Sequence, residues 1–442
     1  MVVSLPKPAG VAVVDHPWRS SSGAVTAHPH VLAYPRSIEA LSEIICEVAE
    51  RGGTIRPVGE GQSCNPIMAT NDTMVSLAQL NIPMVEVNDT GPRPLVTMNA
   101  GAAIGAIEVA LSSYGCALPQ VFSPNATATL GGLIATAGRG EAAIAPPLHA
   151  HILAMEIVDG IGHRRWLTHE DALFATRCSL GTLGVITRVA MRVQPDTNYG
   201  ITRVRVPMEA VFADFEAHTQ DHDVVWFDWL PHSNQALLTM MDKTDEPVTP
   251  GGKAAIRRLA RRGMHTLAAN FRLPRHLAAT GMASLWSTNE EVQAAAHAIP
   301  PKDVRGVHHM GAVLPAATWK DAIYALYDVM VSMNVPAPLP VQITAVAHDT
   351  SAWLSPASNG PGVQLTLAAI PGTRPGPWFG AAMDVLLHHG GRPNWDGVHR
   401  LSLEQMHELY PEITSFNAVR TEFDPAGVFS GVQVATLLGR IR

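Results

Sequence analysis

The sequence predicts an α+β fold with more than one domain, and three observations support this. Short apolar runs suited to strands, such as Thr54–Pro57 and Val185–Val193, alternate with segments whose apolar residues recur at helical spacing. One such helix is predicted to begin after Ser37, whose hydroxyl can cap its first turn, and to stop at Gly52. The chain has 442 residues, of which 47% are hydrophobic, enough to bury a large core. This alternation indicates α+β or α/β rather than a helical bundle.

Composition and charge exclude several classes of function. A net charge of −7 argues against nucleic acid as a partner, because phosphate binding requires a basic surface. No stretch approaches 18 uninterrupted apolar residues, so no transmembrane segment is expected. The four cysteines have neither C-x-x-C nor zinc-site spacing, so we expect no metal site and no disulfide framework. The first residues lack a basic start followed by an apolar run, which predicts no signal peptide and a cytoplasmic location.

The stretch from Arg56 to Ser63 is the strongest candidate for a binding site. A strand-like segment there enters a turn in which Gly59 and Gly61 are separated by one residue. Glycine permits positive φ and lets backbone N–H groups converge into a concave anion site, whose usual occupant is a pyrophosphate. Two more clusters follow, at Gly131-Gly132 and at Gly181–Gly184. A plain turn would explain any one cluster, whereas the three together favour a cofactor site.

The three clusters, in this order and spacing, resemble those of the vanillyl-alcohol oxidase superfamily of FAD enzymes, and within it the sugar-lactone and alditol oxidases. The resemblance covers nearly the whole chain, with further matches at Gly391–Trp395 and Asp424–Phe429. It implies a two-domain PCMH-type FAD-binding fold with an antiparallel-sheet substrate cap domain. The implied bounds are an FAD-binding domain at 1–195, a substrate-binding cap at 196–400 and a C-terminal segment at 401–442 that returns to the FAD-binding domain.

The resemblance also implies which residues bind FAD. They belong to the three glycine clusters and their neighbours, and the third cluster would contact the cofactor through backbone groups. An alternative for Arg139 is a surface ion pair. The cofactor-binding candidates are Arg56, Pro57, Gly59, Glu60, Gly61, Gln62, Ser63, Ser123, Thr129, Gly131, Gly132, Thr136, Arg139, Gly184, Val185 and Ile186.

Two departures from the family concern the flavin itself. Gln62 stands where many relatives have a histidine that bonds covalently to the flavin. An amide nitrogen is not a comparable nucleophile, so non-covalently bound FAD is predicted. Phe122 stands where the sugar oxidases carry a small residue beside the flavin ring, and its bulk argues against efficient use of oxygen.

The residues expected around the substrate depart further. Alternation along a strand places Gln342 and Thr344 on one face, where the family presents a glutamate and an arginine. Asn394 replaces a family histidine. We therefore predict a substrate pocket lined by Gln342, Thr344, Asn394 and Phe122. The sequence alone nominates no base in place of the glutamate, and the alternatives are His308, His309, His348, Asp349 and Asp396.

These substitutions leave two enzymatic hypotheses. The first is an FAD-dependent oxidoreductase that acts on a bulky, largely apolar specialised metabolite. The second is a cyclase or isomerase of natural-product biosynthesis, for example a pericyclase, in which FAD is structural and not redox-active. A third hypothesis, a binding protein on an enzyme frame, ranks last because the glycine loops are intact. Oxidation ranks first because it is the commoner use of this frame. The expected partner is a small molecule, and the sequence does not define the oligomeric state.

Overall fold

The structure is a computed structural model, and it confirms the α+β class and the antiparallel-sheet cap. An N-terminal unit carries two small sheets with their helices, and the cap follows along the chain. The structure describes residues 11–13, 17–89, 91–122, 126–140, 146–249, 275–286, 288–299, 306–335, 340–369 and 375–441.

The N-terminal unit contains two sheets of different character. The first has the order β1-β4-β6-β5 and pairs β4, β6 and β5 in parallel, whereas the second has the antiparallel order β11-β10-β12-β8-β7. Two-stranded pairs are formed by β2 with β3 and by β9 with β13. The strands are β1 (Val11–Val13), β2 (Trp18–Arg19), β3 (Thr26–Ala27), β4 (Val31–Ala33), β5 (Ile55–Pro57), β6 (Thr73–Val75), β7 (Val85–Val87), β8 (Leu95–Asn99), β9 (Cys116–Ala117), β10 (Ile152–Val158), β11 (Arg164–Leu167), β12 (Val185–Arg192) and β13 (Gln194–Pro195).

Helices cover these sheets, and the first of them begins as the sequence predicts. The Ser37 hydroxyl accepts a hydrogen bond from the Ala40 N–H, and the buried face of α1 carries Leu41, Ile45 and Val48. Short 3₁₀ helices lie at Pro66–Met68, Leu77–Gln79 and Leu148–His151. The helices of this unit are α1 (Ile38–Glu50), α2 (Ile104–Ser112), α3 (Leu130–Ala135) and α4 (Glu170–Thr176).

The cap is built on one eight-stranded antiparallel sheet, counted over the described residues. Its order is β17-β14-β16-β15-β19-β20-β18-β21. The strands are β14 (Asn198–Pro207), β15 (Val224–Leu230), β16 (Gln235–Thr244), β17 (Asn289–Ala294), β18 (His309–Pro315), β19 (Val341–Val346), β20 (Gly362–Ala368) and β21 (Arg392–Pro393). The helices are α5 (Met208–Asp221), α6 (Arg275–Ser284), α7 (Ala295–Ala298), α8 (Trp319–Ser332) and α9 (Trp378–His388).

Alternation divides the two faces of the cap sheet. Met310, Ala312, Val341 and Ile343 point into an apolar core with residues of α5, α8 and α9. Their neighbours along the strands therefore point to the opposite face, because side chains alternate along a strand. That opposite face is the one that meets the N-terminal unit.

The last helices return to the N-terminal unit. Their bounds are α10 (Leu403–Leu409), α11 (Ile413–Phe423) and α12 (Val432–Leu438). The Asp424 carboxylate accepts hydrogen bonds from the Val428 and Phe429 N–H groups and so fixes the turn after α11. The Ile55 N–H then donates to the Val428 carbonyl, at 2.7 Å. None of the described helices is long and apolar enough to cross a lipid bilayer.

Arg56 joins the three parts of the N-terminal unit. Its side chain is fully buried, and its guanidinium donates to the carbonyls of Leu180, Gly181 and Phe429 at 2.6–2.9 Å. Burial lowers the pKa of this arginine to about 9. The guanidinium nonetheless stays charged near neutral pH. It therefore links the first glycine turn, the third glycine cluster and the C-terminal segment.

We expect Arg56→Met to lower the free energy of unfolding by about 3 kcal/mol or more, because it leaves three buried carbonyls without donors. The matched control is Arg51→Met, which removes a half-exposed arginine from an ion pair with Asp72. Exposed pairs of this kind contribute about 0–1 kcal/mol. Urea denaturation of both variants measures the difference, and equal losses would contradict the role given to Arg56.

Candidate cofactor and active site

A cavity of about 320 Å³ lies where β5, the start of α3 and the turn before β12 converge. Most of the predicted cofactor-binding residues line it. They are Arg56, Pro57, Gly59, Glu60, Gly61, Gln62, Ser63, Thr129, Gly131, Gly132, Thr136, Gly184, Val185 and Ile186. The three glycine clusters, far apart in the sequence, therefore meet around one space.

The remaining candidates lie elsewhere. Ser123 lies outside the described residues, so its predicted contact stays a prediction. Phe122 is buried in the main core of the N-terminal unit and is not among the residues that line the cavity. Arg139 also lies off the cavity, near the buried carboxylate of Asp349, and burial lowers its pKa to about 10. The flavin contacts predicted for Phe122 and Arg139 stay predictions.

The loop from Gly59 to Ser63 has the hydrogen-bonding pattern of an anion cradle. The Gly61 carbonyl accepts from the Ser21 N–H and hydroxyl, at 2.9 and 3.1 Å. The N–H and C=O of a trans peptide point in opposite directions, so the Gln62 N–H is directed away from Ser21. Within the described chain, no backbone N–H from Gly59 to Ser63 donates to a protein group. Unpaired donors at a cavity wall suit the pyrophosphate of a dinucleotide.

Neighbouring atoms lie so close to the backbone of this cradle that only glycine fits at several of its positions. A Cβ at Gly59 would lie 2.2 Å from the Thr129 hydroxyl oxygen, and one at Gly184 would lie 2.6 Å from the Val158 carbonyl. Gly61 has a φ of +67° and lies against the Trp18 ring, so it needs both the conformation and the space. The donors and the shape of the cradle therefore fit FAD.

The Gln62 side chain occupies the position of the family's flavin-linking histidine and is already engaged. Its Nε2 donates to the Thr127 hydroxyl at 2.6 Å. An amide used as a donor offers no nucleophile to the cofactor. This arrangement supports the prediction of non-covalent FAD.

Sequence reasoning missed several cavity residues. Ser76, Leu77 and Ala78 follow β6, and Ala100 with Gly101 follows β8. Only Gly101 carried a signal, because a glycine directly after a strand commonly marks a close approach of backbone. A Cβ there would lie 2.6 Å from that of Leu77. The other four are ordinary residues whose position depends on the fold alone.

The predicted substrate residues lie on the cap-sheet face opposite its apolar core. In the sheet register Gln342 lies beside Thr366, and Thr344 lies beside Gln364. The Gln364 amide donates to the Thr366 hydroxyl at 3.3 Å. Gly311 is on the same face, and a Cβ there would lie 2.9 Å from the Asn394 Nδ2. Around Gly311, a strand position without a side chain, the face therefore carries amides and hydroxyls, with the Asp228 carboxylate beside Gln342 in the register. Gln342, Thr344 and Asn394 are not among the residues that line the cofactor cavity.

A turn beside this face brings together three residues that no sequence pattern relates to one another. The Val398 N–H donates to the His309 carbonyl, and the Cys64 N–H donates to the Asp396 carbonyl, at 2.9 and 2.6 Å. The His309 Nε2 lies 3.2 Å from the Asp396 Oδ2, and the His309 Nδ1 lies 3.4 Å from the Cys64 Sγ. His309 and Asp396 were among the alternative bases, whereas Cys64 carried no signal. Asp396 is also a wall of the cofactor cavity.

The charges in this Cys64–His309–Asp396 cluster support one another. Burial alone would lower the pKa of His309, but Asp396 and Cys64 raise it well above its usual value. Burial likewise opposes ionisation of Asp396 and Cys64, yet the imidazolium of His309 outweighs it and lowers both pKa values. The ion pair of His309 and Asp396 is therefore charged at neutral pH.

Comparison with known protein families identifies both parts of the chain. A family model described as FAD binding domain matches residues 29–168, and one described as D-arabinono-1,4-lactone oxidase matches residues 189–436. With the cradle geometry, these matches define the protein as a flavoprotein, an FAD-dependent oxidoreductase of the vanillyl-alcohol oxidase superfamily. Since the second model covers more than half of the chain, the protein belongs to the D-arabinono-1,4-lactone oxidase family.

Individual relatives agree with this assignment. L-gulono-1,4-lactone dehydrogenase of Mycobacterium tuberculosis is 24% identical over 96% of this chain and 99% of its own. L-gulonolactone oxidase of Scyliorhinus torazame is 24% identical over 91% of this chain and 94% of its own. The crystal structure of cholesterol oxidase from B. sterolicum superposes with a TM-score of 0.77 at 15% identity, over 99% of this chain and all of its own. That likeness establishes a shared fold.

We expect Gly59→Ala to weaken FAD binding about tenfold or more, because the added methyl would collide with Thr129 and displace the cradle. Gly380→Ala is the matched control, since a Cβ there meets open space. Titration of apoprotein with FAD, followed by flavin fluorescence, gives both dissociation constants. Unchanged affinity in Gly59→Ala would contradict the cradle.

The raised pKa of His309 predicts a pH-dependent stability. Protonated His309 makes its full contribution to the free energy of unfolding below the unfolded-state pKa of about 6.5. This contribution disappears as the pH rises through the folded-state pKa. His309→Gln should therefore cost more stability at about pH 6 than at about pH 10. Denaturant unfolding across this range tests it, with His222→Gln as a control from the partly exposed pair of His222 and Asp242. A pH-independent cost would contradict the charged pair.

Proposed function

We propose that this FAD-dependent oxidoreductase oxidises a hydroxyl group on an uncharged, oxygen-rich small molecule, with lactones of the kind named for its relatives as the first candidates. The observation that carries the proposal is a group of neutral polar side chains on one face of the cap sheet, next to the turn whose Asp396 lines the FAD cavity. Gln342, Thr344, Gln364, Thr366 and Asn394 present amides and hydroxyls there. Such groups both donate to and accept from the hydroxyl and carbonyl oxygens of a sugar lactone.

In this arrangement the N-terminal unit would bind FAD and the cap would bind the substrate. The residues from Gly59 to Ser63, with Thr129 and Gly184, would hold FAD. The bound FAD would supply the two-electron acceptor for a hydrogen removed from the substrate carbon. The cap face would orient the substrate over it, and the meeting of both units would exclude water. Alcohol oxidation needs these components.

A bulky, largely apolar alcohol is the second candidate, as the sequence predicts. It is favoured by Gly311, which leaves the centre of the polar face without a side chain. It is also favoured by the absence of the family's glutamate and arginine from the positions of Gln342 and Thr344. The relatives reported above are named as oxidases or dehydrogenases, so they do not support the cyclase hypothesis.

Anaerobic mixing of the purified holoprotein with candidate substrates tests the proposal. We expect L-gulono-1,4-lactone or D-arabinono-1,4-lactone to bleach the oxidised-flavin absorbance, and a sterol alcohol to do so if the second candidate holds. A flavin that none of the three reduces would contradict the proposed function. Acid precipitation of the same sample should release all flavin colour to the supernatant, and colour in the pellet would contradict non-covalent binding.

A further inference from the structure

We propose that Asp396 accepts the proton of the substrate hydroxyl, and that His309 and Cys64 position its carboxylate for this step. The proposal rests on the proposed function, because a proton acceptor is needed only if a hydroxyl is oxidised. It assigns a base to an active site in which the positions of the family's glutamate and arginine are neutral.

Asp396 is placed between the cofactor and the substrate face. It lines the FAD cavity, and its side chain is 46% exposed. The turn that carries Asp396 packs on β18. Asn394 in that turn and Gly311 in β18 both belong to the polar face of the cap sheet. A carboxylate there lies at the junction of the cradle and the substrate surface. Two further carboxylates of that face, Asp228 and Glu291, are engaged by the Trp226 indole and by Arg203, and neither is among the cavity residues.

The turn holds Asp396 rigidly. Trp395 is fully buried and donates its indole N–H to the Leu354 carbonyl at 2.7 Å. A Cβ at Gly397 would lie 3.1 Å from the Met310 Cα, so this position allows the turn to approach the strand closely. The Cys64 N–H fixes the Asp396 carbonyl from the other side. A base held in this way keeps its geometry as the substrate arrives.

The two oxygens of the carboxylate have different surroundings. Oδ2 faces the His309 Nε2 at 3.2 Å, and His309 is held in turn by Cys64 through its Nδ1. Within the described chain, Oδ1 accepts no hydrogen bond from another side chain. One oxygen is therefore anchored and the other is available to a ligand.

The titratable groups that face Asp396 keep it ionised. His309 is cationic and lowers the pKa of Asp396, and Cys64 helps to hold that cation. His399 also packs near the turn, against the Trp395 ring, and burial lowers its pKa to about 4, so it is neutral at pH 7. The carboxylate is thus ready to take a proton at neutral pH.

The proposed step balances as an alcohol oxidation. The O–H bond of the carbinol breaks and its proton moves to Asp396 Oδ1, which becomes a neutral carboxylic acid. The hydrogen on the carbinol carbon leaves with two electrons, for which bound FAD would be the acceptor, and a C=O bond forms. Asp396, whose side chain is 46% exposed, then returns its proton to solvent.

Stopped-flow reduction of the holoenzyme by the lactone that reduces the wild type tests the assignment. Asp396→Asn should slow flavin reduction by about 10²–10⁴ while KM changes only a few-fold and FAD affinity is retained. The acid limb of the pH–rate profile should disappear with it. In His309→Gln the limb should remain and move to higher pH, because the imidazolium no longer lowers the pKa of Asp396. Asp242→Asn, which removes a carboxylate from the partly exposed pair with His222, is the matched control and should leave rate and profile unchanged.

A rate for Asp396→Asn close to wild type, or an unchanged acid limb in both variants, would overturn the proposal. A wild-type flavin that no lactone or sterol reduces would instead refute the proposed function. A substrate-free measurement then decides on the cluster itself. Titration of the His309 imidazole by NMR should give a lower pKa in Asp396→Asn and an unchanged one in Asp242→Asn. An unchanged pKa in Asp396→Asn would show that Asp396 does not control His309.

Discussion

The N-terminal unit depends on one buried cation. Arg56 lies directly before the first glycine turn, and its guanidinium binds carbonyls from the third glycine cluster and from Phe429. Burying a charge costs free energy unless hydrogen bonds compensate for it. These carbonyls must therefore keep their positions around the Arg56 guanidinium. The cofactor cavity is the space left between the segments that Arg56 joins. Its shape therefore depends on the hydrogen bonds that the Arg56 guanidinium makes to protein carbonyls.

The cap supplies the opposite kind of surface. Its sheet places apolar residues under three helices and polar residues on the opposite face, so a single strand serves packing on one side and, as we propose, substrate binding on the other. The turn that carries Asp396 adds a carboxylate at the edge of this surface, where it also lines the cofactor cavity. In the proposed reaction the proton acceptor therefore belongs to a turn and not to a strand, and it can change without altering the sheet.

The sequence predicted the frame better than the site. The glycine clusters were informative because positive φ and close approaches leave glycine as the residue that fits, so Gly59 and Gly184 could be located from the sequence alone. Gln342 and Thr344 were predicted from the family resemblance together with alternation along one strand, and their contact with a substrate stays a prediction. Cys64 could not be found in this way, because its contact with His309 joins residues 245 positions apart. Phe122 is buried in the core of the N-terminal unit, and its predicted contact with the flavin stays a prediction.

The backbone bond between the Cys64 N–H and the Asp396 carbonyl has a thermodynamic consequence. Cys64 follows the cofactor loop directly, whereas Asp396 belongs to the turn that borders the substrate face, so neither can shift without the other. Occupation of one compartment then changes the free energy of filling the other, and this coupling must be reciprocal. Whatever factor a ligand on the cap applies to the affinity for the nucleotide, the nucleotide applies the same factor to the affinity for that ligand.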